Sequence, residues 1–241
     1  MRTHILLKAA VVACALAGTA LGQESGRAVI EGNAPQSGAA VVEQPLFDDD
    51  GGRVFIVRRD VGALVGLRYH GGEVISEPRQ YNIFLGSAWS DPDLRRWEAA
   101  FSDLLSKAGT GADQLSLDGY GVKNLYVPSE SQEQPFDFPA GATVSDLQIR
   151  AALEGMFRAG AIRGPDADTV YVVFLPPGVG SKLGEMIGGK HYAAYHNFFH
   201  AEQGEARYVV VPFEPRVKLA GQTAARALVE AALNPAGGGW Y

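Results

Sequence analysis

From Arg53 onward, apolar residues fall into short strand-like runs and helical spacings, punctuated by glycine and proline. "RVFIVRR" (53–59) carries the β-branched and aromatic residues of a strand, and Gly71-Gly72 forces a turn soon afterwards. "QYNIFLG" (80–86) predicts the next strand. Over 91–109, Leu94, Trp97, Phe101, Leu104 and Leu105 recur at three- and four-residue steps, which predicts a helix with one buried face. Ser90 or Asp91 caps it, Pro92 occupies its first turn and Gly109 stops it. "VKNLYVP" (122–128) reads as a strand. A helix follows over 143–160, capped by Thr143 or Ser145, with Leu147, Ala151, Met156 and Phe157 inward.

"DTVYVVFLPP" (168–177) is apolar almost throughout, the pattern of a strand covered on both faces. The glycine-bearing stretch 175–190 reads as a mobile loop after that strand, a place that often borders binding sites, and it fits no phosphate-loop spacing. "HYAAYHNFF" (191–199) and "ARYVVVPFEP" (206–215) predict two antiparallel strands, and "QTAARALVEAALNP" (222–235) a last helix. The expected fold is a single α/β domain over 53–241, with a mixed β-sheet and roughly three main helices packed on it.

What precedes Arg53 has a different character. Residues 1–22 carry Arg2 and Lys8, an apolar run, and small residues at Ala20 and Gly22, which together read as a cleaved signal peptide. The run is short for a membrane span. Cys14, the only cysteine, lies inside it, and its surroundings offer an alternative reading as a lipoprotein anchor. Residues 23–52 have little periodicity and read as a flexible leader. The expectation is a secreted or periplasmic protein that folds without disulfides. The whole chain is 46% hydrophobic with a formal charge of −6. Loss of Arg2 and Lys8 with the leader takes the charge to −8, which argues against nucleic acid and anionic membrane surfaces as partners.

Several segments, taken in order, resemble the EXORDIUM-like, phosphate-induced family of extracellular proteins. They are "YHGGEVISEPRQYNIFLGSAW", "TVYVVFLPPGV", "HYAAYHNFF", "YVVVPFEP" and "TAARALVEAALNPAGGGWY". The resemblance runs from Tyr69 to Tyr241 and implies an exported, wall- or envelope-associated role. The family's last block begins His-Glu-Leu-Ala-Glu. Here Arg226 and Ala227 stand at the His and first Glu, and only the second acid survives, as Glu230. The family's cysteines are missing, and its members continue beyond the Trp-Tyr at which this chain stops.

A His and a Glu four residues apart on a helix can reach one metal ion, and a Glu beside the His can act as base on a metal-bound water. A guanidinium cannot bind metal, so no metal is expected at 226–230. Arg226 and Glu230 can instead pair across one helical turn, the cation taking the ion's place. His191, His196 and His200 are the other candidates. His196 and His200 share a face in a helix or in a strand, which makes them weak metal candidates beside the simpler role of packing and recognition. His70, next to the double glycine, lines a cleft or bonds its own turn. Gly86-Ser87-Ala88-Trp89 lacks the second glycine of a nucleophile elbow. These features favour a non-catalytic binding or structural protein without cofactor, its ligand a small molecule, carbohydrate or peptide. The alternative is a metal-dependent hydrolase using the His191/His196/His200 region or Glu230.

Overall fold

The computed structural model describes residues 46–47, 53–57, 67–108, 117–123, 131–134, 136, 138–139 and 141–241. The expected signal peptide, Cys14 and most of the leader lie outside them. A seven-stranded mixed sheet forms the centre. Its strands are β1 (Leu46–Phe47), β2 (Arg53–Val57), β3 (Arg79–Leu85), β4 (Ser131–Gln134), β6 (Thr169–Phe174), β9 (Ala194–Ala201) and β10 (Gly204–Val211), in the order β1-β2-β9-β10-β6-β3-β4. Strands β4, β3, β6 and β10 run parallel, and β9 and β2 run antiparallel to their neighbours. A second sheet joins β5 (Thr143–Ser145), β7 (Gly180–Leu183) and β8 (Met186–Ile187). Three helices complete the α/β domain: α1 (Pro92–Ala108), α2 (Asp146–Arg158) and α3 (Val217–Leu233).

Strand β6 shows why the sheet holds. All six of its residues are buried, with Val170, Val172 and Phe174 on one face and Tyr171 and Val173 on the other. On the first face Trp97 and Phe101 of α1 pack beside Ala224, Ala227 and Leu228 of α3. The second face receives Ile149, Ala152, Leu153 and Phe157 of α2. The small residues of α3 let it sit close: a β-carbon at Gly221 would stand 2.7 Å from Leu104 Cδ2. The Trp97 indole N–H ties α1 to the chain leaving β10, donating to the carbonyl oxygens of Glu214 (3.1 Å) and Pro215 (3.2 Å). At the amino edge of the parallel strands, buried Arg207 bonds Glu73 at 2.7 Å, Glu205 at 2.8 Å and the Ala167 carbonyl at 2.9 Å. Among the described residues no helix is long and apolar enough to cross a membrane.

Several local expectations need correction. Thr143–Ser145 form a strand, and α2 begins only at Asp146, with Ser145 and Gln148 closing a reciprocal capping box. The helix packs with Ile149, Ala152 and Leu153 toward the sheet, while Leu147 and Ala151 face outward. The stretch 175–190 is not a free loop, because it supplies β7 and β8. Of the strand expected at 122–128, Val122 and Lys123 are described and lie outside any strand, and 124–128 falls outside the described residues. The strand beside β3 is "SQEQ", whose polar composition suits a sheet edge and gives no apolar alternation to read. Helix α3 starts five residues early, at Val217, with Ala220, Gly221 and Ala224 extending its buried face. Leu46–Phe47, inside the expected leader, pair with Val54 and Arg53.

Candidate functional site

Helix α3 presents the pair expected from its spacing. Arg226 Nε donates to Glu230 Oε1 at 2.9 Å, and the two side chains are 29% and 21% exposed. Ala227, where the resembling family carries its adjacent acid, is wholly buried in the cluster between α3 and the sheet. A carboxylate there would have neither solvent nor a water to act on.

The chain after α3 folds back onto the Tyr-His-Gly-Gly segment. Arg68 and Tyr241 exchange two backbone hydrogen bonds at 3.1 Å, His70 N donates to Gly239 O at 2.9 Å, and Gly72 N donates to Gly238 O at 2.6 Å. This close approach needs glycine: a β-carbon at Gly72 would stand 2.2 Å from the Gly238 carbonyl. Asn234 Oδ1 accepts from Gly239 N, and the Trp240 indole N–H donates to Tyr120 O. Two stretches that carried the resemblance, far apart in sequence, therefore form one strap. His70 is exposed on it, its ring stacked 3.8 Å from that of Tyr241. Its ring lies on the outer side of the strap, against the terminal Tyr241.

The other histidines are separated. His191 is exposed, and its Nδ1 accepts from Ile187 N at 2.8 Å, which closes the turn after β8. His196 is 3% exposed in mid-strand and stacks on Phe55 of β2 with ring centroids 4.8 Å apart. Burial pushes its pKa down to about 3, so it is neutral. His200 lies at the far end of β9, solvent-exposed, 3.7 Å from Glu205. Four residues of strand span about 13 Å, several times the spacing of two nitrogens on one ion, so His196 and His200 do not share a metal. Among the described residues no group of three or more His, Cys, Asp or Glu could hold one.

A buried polar cluster that the sequence did not signal lies under α2. Asp146 is 2% exposed; its carboxylate accepts from Tyr208 Oη at 2.7 Å, Asn197 Nδ2 at 3.2 Å and Arg150 Nε at 2.8 Å. The Tyr195 hydroxyl is wholly buried beside this cluster. Burial, and then the nearby Asp146 charge, raise the pKa of Tyr195 well above the usual phenol range, and the same two causes act on Tyr208. The i,i+4 spacing joins Asp146 to Arg150 along α2, but nothing in the spacing joins that pair to Tyr195, Asn197 and Tyr208, because the three elements meet only in the fold.

The parallel strands create one further place. In chain order they run β3, β4, β6, β10, but side by side they stand β4-β3-β6-β10. The order reverses between β3 and β6. Leaving β3, the chain turns to the α1 face, where Trp89 is buried; leaving β6 it turns to the opposite face, where Leu175 and Leu183 are buried. The two connections leave toward opposite faces at the carboxyl ends of the strands, the usual ligand position in such sheets. Gly86, at φ 132, lies there, and a β-carbon on it would stand 3.0 Å from Pro176 and 3.3 Å from Phe138, so the chains leaving β3, β4 and β6 pack together at this point. The chain leaving β4 is tied in by backbone bonds: Gly86 N donates to Gln134 O and Ser87 N to Phe136 O. Compared with protein-family models, curated proteins and solved structures, the chain matches none.

Proposed function

We propose that this chain is an exported, non-catalytic binding protein of EXORDIUM-like type, acting in the cell envelope or outside the cell. The observation that carries the reading is the filled position on α3. The Arg226 guanidinium pairs with Glu230 where the resembling block would place a metal-binding imidazole, and Ala227 closes the site of the adjacent base with apolar packing. The charge of Glu230 is thus met by a fixed cation, which leaves no ligand set and no base on that helix. The leader-like residues 1–22 support export. Elemental analysis of the purified protein after incubation with zinc and dialysis tests the reading. Only background zinc is expected. Stoichiometric zinc, lost in Glu230→Gln, would overturn it.

A further inference from the structure

We propose that Arg207 latches the strap to the sheet through Glu73, and that the strap opens as one unit, taking the carboxyl cap of α3 with it, while the central sheet stays closed. The two segments of the strap, 68–73 and 237–241, meet through main-chain bonds: the Arg68–Tyr241 pair, His70 N to Gly239 O and Gly72 N to Gly238 O. Gly71, Gly72, Gly237, Gly238 and Gly239 bring no side chains to bury, and Arg68, Tyr69, His70 and Tyr241 are exposed. Ordering this segment costs backbone entropy that little apolar burial offsets, which places the strap at the low end of local stability. Its inner side closes α3. The last carbonyls of a helix have no partner within it. Here Trp240 N donates to Leu233 O at 2.9 Å, and Gly239 N donates to Oδ1 of Asn234, the residue that ends the helix. The strap cannot lift without releasing that cap.

The tie to the sheet is built to let go. One nitrogen of Arg207, Nη2, lies 2.7 Å from Glu73 Oε2 and 2.8 Å from Glu205 Oε1, while Nη1 donates to Ala167 O at 2.9 Å. Breaking a buried ion pair is costly chiefly when it strands a charge. Here neither charge is stranded. The Glu73 side chain is 49% exposed and passes into water. The Arg207 side chain, only 6% exposed, keeps Glu205, two residues before it on β10, and the Ala167 carbonyl. A donor shared by two carboxylates thus has one resident partner and one that leaves with the strap. What opening uncovers is apolar. Gly237 lies on Phe55, where a β-carbon would stand 2.6 Å from Cζ. The Trp240 indole, whose N–H donates to Tyr120 O at 3.0 Å, packs on the cluster between α3 and the sheet.

Amide hydrogen exchange of the full chain, resolved residue by residue by NMR, tests the latch, with circular dichroism of each variant to establish that it folds. In the unaltered protein the amides of His70, Gly72, Gly239, Trp240 and Tyr241 should share one opening. They should exchange at least about a hundredfold faster than those of Val172 and Val209, which are buried within the sheet. Glu73→Gln should speed the strap amides about tenfold and leave Val172 and Val209 unchanged. Glu205→Gln leaves Glu73 as the carboxylate on Arg207 and should not speed the strap. The proposal falls if strap and sheet amides exchange together, or if the strap amides exchange independently of one another. It falls equally if Glu73→Gln speeds neither set or both alike, or if Glu205→Gln speeds the strap as much as Glu73→Gln does.

Discussion

One buried histidine should make this fold sensitive to acid. His196 is neutral and 3% exposed in the middle of β9, against Phe55 of β2 and over the apolar face that α3 covers. Its pKa is about 3 in the folded protein, because burial penalises the charged ring. In the unfolded chain an imidazole titrates near 6.5. Below pH 6.5 the unfolded chain therefore binds a proton that the folded one refuses, and stability falls as pH falls. The slope is about 1.4 kcal/mol per pH unit. At pH 5 the loss is about 2 kcal/mol, and it levels off near 5 kcal/mol once the pH drops below the folded value. Urea unfolding at pH 7 and pH 5 measures this, with His196→Gln as the non-titrating reference. The wild type should lose about 2 kcal/mol more than the variant between the two pH values. Equal losses would refute the reasoning, since the folded protein would then accept the proton as readily as the unfolded chain.

Asp146→Ala strips the acceptor from Tyr208, Asn197 and Arg150 and should cost about 3 kcal/mol in urea unfolding, toward the low end for a broken buried pair because Arg150 reaches partly into solvent. Tyr208→Phe, which removes one of those bonds, should cost about 1 kcal/mol. Gly72→Ala sets a methyl against the Gly238 backbone and should cost on the order of 2 kcal/mol, with faster amide exchange at Arg68 and Tyr241. Arg226→Ala should cost at most about 1 kcal/mol, the pair being partly solvated, and Glu230→Gln in that background should restore part of it. When the chain is expressed with its leader in a bacterial host, mass spectrometry of the exported product should find a mature terminus at Gln23.

Local pattern alone determined a good deal. The apolar run within 168–177, the apolar stretch within 206–215 and the three- and four-residue steps of 91–109 announce elements whose burial any tertiary fold must provide, so these elements and the α/β class were legible. The same holds for the spacing of Arg226 and Glu230, since one helical turn brings them together whatever surrounds them. Where burial is shared among distant elements, the pattern was silent or misleading. Strand β4, polar in sequence, stands at the end of the strand order among the described residues. The inward face of α2 was chosen by the sheet it packs on, which takes Ile149, Ala152 and Leu153 and leaves Leu147 and Ala151 outward. The histidines of 191–200 looked alike as letters, yet the fold buries His196 in mid-strand, exposes His200 at the end of β9 and leaves His191 exposed in the turn before that strand. Only the tertiary structure joined the two glycine-bearing aromatic motifs into a strap, gathered donors around Asp146, and reversed the strand order between β3 and β6. Each of these depends on residues far apart in the chain, apart from Arg150 beside Asp146. Local preference acts over a few residues, and closure of the sheet decides what meets across it.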